Sequence, residues 1–185
     1  MRVRRPLSTT MSPGMIEEVL VGERLRLRPV RASDAGALRA VFADPTVERW
    51  WGDPEKRLAE SLHPDADGSC FVIEVGQEAA GFIQCYEEPD PDYRHASIDI
   101  AVRAAWQGQG VGPEAIRVLA HHLFAARGHH RLTIDPAAAN QRAIAAYRRV
   151  GFVPVGVMRR YERSGGDGTW HDGLLMDLLS EEFRR

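Results

Sequence analysis

Residues 97–112, SIDIAVRAAWQGQGVG, constrain this chain more than any other stretch. Ile98, Ile100 and Val102 alternate with Ser97, Asp99 and Ala101, the period-2 pattern of a strand with two different faces. Gly108, Gly110 and Gly112 then remove every second side chain, so backbone N–H groups can approach an anion closely. Pro113 suits the first position of a helix, and Glu114 its first turn. A strand, a glycine turn and a helix N-terminus in that order form a ready phosphate site. Two nucleotide motifs are excluded. No Gly-Lys-Ser/Thr closes the turn, so it is not a P-loop, and its G-x-G-x-G spacing is not the dinucleotide pattern G-x-G-x-x-G.

A chain of 185 residues is long enough for one domain with a real core. Its net charge of −2 gives no pull towards nucleic acid or an anionic membrane, so neither is expected as a partner. No apolar run approaches the roughly 20 residues that span a bilayer. The opening MRVRRPLSTTMSPG carries arginines without the apolar segment of a secretory signal. Cys70 and Cys85 sit in apolar, strand-like runs and read as buried thiols, which fits a reducing compartment. The expectation is a cytoplasmic protein with a flexible leader over residues 1–21 and one domain over 22–185.

The rest of the chain supplies a regular alternation of elements. Residues 24–28, RLRLR, read as a strand, and Ser33 as the cap of a helix carrying Leu38, Val41 and Phe42. A short helix is expected near 55–62, after the mixed stretch holding Trp50 and Trp51. Residues 70–75 and 80–86 form a hairpin around Gly76, followed by an acidic loop with Glu87, Glu88, Asp90 and Asp92. Beyond the organising stretch come a helix ending near Gly128, a strand at 132–135 and a helix at 140–150. Two final strands flank a glycine-rich turn at 164–168. This order predicts an α+β fold: one mixed, mostly antiparallel sheet of six to seven strands flanked by about four helices. His121, His122, His129 and His130 lack a zinc-ligand spacing and read as surface residues; no metal is expected.

The motif Gln107-x-x-Gly110-x-Gly112, with Trp106 before it, resembles the acetyl-coenzyme A pyrophosphate loop of the GCN5-related N-acetyltransferases. A second segment, Asn140-x-x-Ala143-x-x-x-Tyr147-x-x-x-Gly151-Phe152, is similar to that family's N-x-x-A-x-x-x-Y-x-x-x-G-F. The two motifs, in order and each on the element where it belongs, imply the family's fold over roughly residues 22–180. They also imply acetyl-coenzyme A as acetyl donor and a primary amine as acceptor. By that resemblance Ile100, Val102, Gln107, Gly108, Gln109, Gly110, Val111, Gly112, Asn140, Ala143 and Tyr147 would bind the cofactor. The Val102 N–H would serve the thioester oxygen. Asp99 would act on the amine as base or anchor, and Tyr147 as acid towards the departing thiolate.

Acyl transfer to an amine needs such groups. An ammonium has no lone pair, so a proton must leave, and negative charge developing on oxygen and sulfur must be met by donors. A carboxylate with a pKa of about 4 is a weak base for this unless burial raises it, while a phenol at about 10 lies close to a thiol. Trp50-Trp51-Gly52, Ile98-Asp99 and residues 133–136 resemble more narrowly the aminoglycoside 6′-N-acetyltransferases. That likeness implies Trp50, Trp51, Glu88, Asp99 and Asp135 around a polycationic sugar. Residues 170–173, WHDG, and the opening strand look instead like acetyltransferases of protein N-termini or polyamines. A coenzyme A-binding sensor without turnover is the alternative of a different class, and edge strands with residues 46–68 would allow a homodimer.

Overall fold

Alternating β patterns with helical segments between them produce a single mixed sheet. The computed structural model describes residues 14–163 and 168–184. Among them the strands are β1 (Leu20–Val21), β2 (Leu25–Pro29), β3 (Gly68–Val75), β4 (Glu78–Glu87), β5 (Ala96–Val102), β6 (Arg131–Ile134), β7 (Val153–Arg163) and β8 (Trp170–Leu179). The helices are α1 (Ala35–Phe42), α2 (Pro45–Trp51), α3 (Pro54–Leu62), α4 (Val111–Ala125) and α5 (Gln141–Val150). The sheet runs β1-β2-β3-β4-β5-β6-β8-β7, and only the β5–β6 pair is parallel. The two elements beyond the expected count are β1, two residues long, and α2, which Asp44 caps with its carboxylate on the Thr46 N–H.

The pleat of the sheet divides the core in two. On one face α4 and α5 pack Ile116, Leu119, Leu123, Ile144 and Phe152 against Leu27, Ile83, Ile98 and Met176. On the other, α1 to α3 pack Leu38, Phe42 and Leu58 against Val72, Phe82 and Ala101. Ile98 and Ala101 thus bury opposite sides of β5, as the period-2 pattern requires. Helix α4 starts two residues before Pro113, because Gly110 adopts φ 84° and caps it. Ser33 falls in a short 3₁₀ turn, and Asp34 precedes α1. The expected glycine-rich turn at 164–168 falls, but for Gly168, outside the described residues. No helix among those described is long and apolar enough to cross a membrane.

Three expectations need correction. The packed body starts before residue 22: Ile16 and Leu20 are core residues, and the Ile16 N–H donates to Ser69 Oγ at 2.9 Å. Residues 1–13 of the expected leader lie outside the described residues. Glu87 is not part of an open acidic loop, and His129 is not on the surface. The Glu87 carboxylate is 3% exposed, accepts Arg127 Nη2 at 2.7 Å and lies 2.7 Å from His129 Nε2. Burial alone would push the Glu87 carboxyl up, but its bonds to His129 and Arg127 outweigh that and hold it below the usual range. The Arg127 guanidinium also donates to the Gly14 carbonyl at 2.8 Å, which ties the N-terminal segment to the end of α4.

A depressed carboxylate stabilises the fold above its ordinary pKa, and that contribution is lost as pH falls through the lowered native value. Glu87→Gln leaves Arg127 and His129 without their anion and is expected to cost about 3 kcal/mol at pH 7. Urea titration checks this, and the deficit against the parent should close as the pH is taken below about 4.

Candidate active site

The site is built where two strands part. β5 and β6 pair only at Ala96↔Leu132 and Ser97↔Thr133, after which β6 runs to Ile134 and Asp135-Pro136 while β5 continues to Val102. The Pro136 backbone faces β8, where it offers a carbonyl and no N–H. The segment instead follows β8, with the Leu174 N–H donating to the Pro136 carbonyl at 2.9 Å and a bridge between Ala137 and Gly173. One edge of β5 is left without a strand from Ile98 onward. The Arg103 N–H donates to the Ala80 carbonyl, so Arg103, Ala101 and Asp99 turn their backbone groups towards β4. Ile100 and Val102 therefore aim theirs at the open edge, and Gln107 Nε2 reaches the Val102 carbonyl there at 2.6 Å.

The glycine turn closes the far end of that edge. Gly108 and Gly110 have φ of 77° and 84°, conformations that glycine adopts without strain. Val111 and Gly112 open α4, where N–H groups have no carbonyl of their own helix to reach. Free donors at a helix N-terminus fit a diphosphate, and the open edge of β5 fits an extended amide-bearing arm. The side chain of Gln107 faces inward, its Nε2 also donating to Thr46 Oγ1 at 2.9 Å, so only its backbone faces the turn. Asp44 Oδ2 accepts the Ala104 N–H at 2.8 Å, fastening α2 to the same loop. The Asn140 carboxamide oxygen caps α5 on the Ala143 N–H at 3.2 Å. The Ala143 side chain packs on the main core.

Acid–base groups converge on the opening from both faces. Asp99 lies on the α1–α3 face, where Gln84 Nε2 donates to its Oδ2 at 3.0 Å. Burial pushes the Asp99 carboxyl up; the Gln84 bond opposes this, the Asp135 charge adds to it, and Arg57 counters it. Asp135, at the end of β6, is likewise raised by burial against the bond from Tyr161. Tyr147 comes from α5 on the opposite face and is 8% exposed. Burial raises its phenol well above the ordinary value, and Asp99 and Asp135 raise it further. A phenol raised that far is a poor proton source for a thiolate and a good hydrogen-bond donor to one.

Reasoning from sequence overlooked several groups here. Glu162 is raised by burial, under the influence of Arg57, Asp135 and Asp99. Tyr161 is raised to about 12, first by its bond to Asp135. Both follow an irregularity in β7, whose register to β8 shifts between Met158 and Glu162 and whose Arg160 has φ 49°. The Arg160 N–H is held by Asp172 Oδ1 at 2.8 Å. The Tyr161 ring lies on Gly173, where an added Cβ would come within 2.9 Å of it. A bulge redirects side chains that regular alternation would place elsewhere, and no sequence period announces it.

Other expected residues have partners of their own. Trp51 is a core anchor: its ring centroid lies 5.6 Å from Phe42 and 5.9 Å from Phe82, and its carbonyl accepts Arg57 Nε at 2.7 Å. Trp50 is partly buried under the Arg49 guanidinium, 4.6 Å from the ring centroid. Glu88 caps a turn, its Oε1 accepting the Asp90 N–H at 3.0 Å. The structure brings Asp99, Asp135 and Tyr147 together, and Trp51 neighbours that group through Arg57, whose guanidinium lies 6.0 Å from the Trp51 ring centroid and bears on Asp99.

A parted parallel pair with a glycine turn and a helix N-terminus at its end has room for an extended arm that ends in a diphosphate. The chain belongs to the acetyltransferase (GNAT) domain family, whose model matches residues 24–153. Spermidine N(1)-acetyltransferase of Escherichia coli (strain K12) is 24% identical over 136 residues, 69% of this chain and 72% of that protein. Aminoglycoside N(6′)-acetyltransferase type 1 of Klebsiella pneumoniae is 28% identical over 151 residues, 70% of this chain and 74% of that protein. Among solved structures, Mycobacterium smegmatis RimJ in complex with CoA-disulfide superposes with a TM-score of 0.79 at 27% identity, covering 91% of this chain and 90% of that one. The protein is an acetyl-coenzyme A-dependent N-acetyltransferase of the GNAT fold.

Because burial raises Asp99, folding favours its protonated form. That contribution is complete below the ordinary aspartate value and is lost as pH rises through the raised one. Asp99→Asn keeps an acceptor for Gln84 and removes the buried charge. It should stabilise the protein at pH 8 by about 1 kcal/mol, a Tm gain of about 2–4 °C, while turnover falls. Calorimetry at pH 4 and pH 8 checks the sign, since the gain should shrink at the lower pH.

Proposed function

We propose that the acceptor is a small molecule carrying several amines and that the 6′-amine of an aminoglycoside is acetylated. The observation behind this reading is the convergence of three carboxyl groups, Asp99, Asp135 and Glu162, each raised by burial, with Arg57 offsetting Asp99 and Glu162. Such a cluster gains by meeting a cationic ligand, whose charge offsets the burial that raises all three and the repulsion added to Asp99 and Glu162. The likeness to an aminoglycoside acetyltransferase and to a spermidine acetyltransferase supports the same class of acceptor.

Acetyl-coenzyme A, when bound, supplies an acetyl group already activated as a thioester. The chain's residues would do the rest. Asp99 would hold the acceptor ammonium and take up its proton, for which its raised pKa suits it better than an ordinary aspartate. The Val102 N–H on the open edge would donate to a carbonyl oxygen, and the Tyr147 hydroxyl to the departing sulfur. Asp135 and Glu162 would bind further amines of the acceptor.

Free-thiol release from acetyl-coenzyme A, with kanamycin, spermidine and an N-terminal peptide as rival acceptors, tests the reading. Turnover on kanamycin is the expected result, and turnover on the peptide alone would overturn it. Tyr147→Phe should then lower kcat by about 10- to 100-fold with little change in coenzyme A affinity, since it removes one donor to the leaving group.

A further inference from the structure

An arginine from the first half of the chain lies on the glycine turn. Arg24, just before β2, donates through its backbone N–H to Glu114 Oε1 at 2.8 Å and through Nε to Oε2 at 2.9 Å. Its Nη2 lies 2.8 Å from the same Oε2, and its Nη1 donates to the Gln109 carbonyl at 3.0 Å. The guanidinium also sits close to Gly110, where an added Cβ would meet Nη2 at 3.0 Å. One side chain thus holds both the first turn of α4 and the peptide that precedes its cap.

Each contact bears on an anion at the turn. Glu114 places a carboxylate in the first turn of the helix whose N-terminal donors would hold the diphosphate, and an unneutralised anion there would repel a second one. Arg24 occupies both of its oxygens with charge-assisted hydrogen bonds. The Gln109–Gly110 peptide is planar, so fixing its carbonyl on Arg24 turns the Gly110 N–H to the opposite side. A carbonyl free to rotate would present oxygen, in place of N–H, to the ligand. We propose that Arg24 is the positioning residue of the diphosphate cradle, masking Glu114 and orienting the Gly110 N–H. The proposal rests on the turn's role in binding coenzyme A and is independent of the acceptor.

Calorimetric titration of the full chain with coenzyme A, joined to turnover on S-acetylpantetheine, which carries the thioester without the diphosphate, tests this. Arg24→Ala should weaken coenzyme A by about ten-fold, as for a lost charge-assisted contact, and leave the KM for S-acetylpantetheine within about two-fold. Arg24→Lys, with one donor centre for two acceptors, should fall between, at about three-fold. Glu114→Gln removes the masked charge and should bind coenzyme A as well as the parent or better. A simple tether between β2 and α4 gives a different pattern: Glu114→Gln weakens coenzyme A as much as Arg24→Ala, or both donors suffer alike. Either result overturns the proposal. Should Arg24→Ala not fold, Arg24→Lys and Glu114→Gln decide the matter between them. Failure of the parent chain to bind coenzyme A would instead overturn the role of the turn itself.

Discussion

The structure depends on a ladder that stops. β5 and β6 share two residue pairs and then separate, and everything the site does follows from what the separation exposes. A strand edge in the middle of a sheet is ordinarily covered, because unpaired N–H and C=O groups shielded from water cost free energy. Here the edge of β5 opens into a cleft with Asp99 on one face and Tyr147 on the other. The separation persists because β6 is held elsewhere. β8 keeps the residues that follow β6, through Leu174 on the Pro136 carbonyl and Gly173 beside Ala137.

The same opening imposes an electrostatic cost. Asp99, Asp135 and Glu162 are all displaced upward by burial; the Asp135 charge raises Asp99 further, and both raise Glu162. An optimally stable fold would replace them with apolar residues. Elsewhere the chain pairs its buried charges closely, as Arg28 does with Asp34 at 2.8 Å and Glu87 with Arg127 and His129. The contrast separates two uses of a buried carboxylate. Where it fastens an element, a cation sits against it and its pKa falls; in the cluster of Asp99, Asp135 and Glu162, burial with no salt bridge among the described residues leaves it raised.

Much of the fold was legible because it is local. Period-2 alternation gave β5, the turn glycines gave the start of α4 within two residues, and Asn140 with Gly151 bracketed α5. What escaped was non-local. Trp51 reads as a ligand aromatic next to Trp50, yet its ring is held by Phe42 and Phe82, and no spacing along the chain announces that packing. His129 reads as exposed because its partner, Glu87, lies 42 residues earlier. Tyr161 and Glu162 were missed because the irregular stretch of β7 breaks the alternation on which strand reading rests. Arg24 looked like one residue of an alternating strand, and only the tertiary fold brings it to Glu114.

The division of labour across the opening bears on how one fold serves different acceptors. On the β5 side, the groups that we propose would meet the cofactor are mostly backbone: the edge amides of Ile100 and Val102 and the N–H groups of the glycine turn. They demand a conformation more than a set of side chains, and glycine at 108 and 110 meets it. On the β6–β8–β7 side, the groups facing the cleft are side chains, Asp135, Tyr161 and Glu162. Asp135 follows β6, while Tyr161 and Glu162 hang from β7, which among the described residues pairs with no strand but β8. Substitution on that wing alters charge and shape in the cleft while the backbone of β5 stays in register with β4. On the reading proposed above, donor and acceptor are held by separate parts of the sheet, which would let chains that share the fold at about a quarter identity keep one donor and change acceptors.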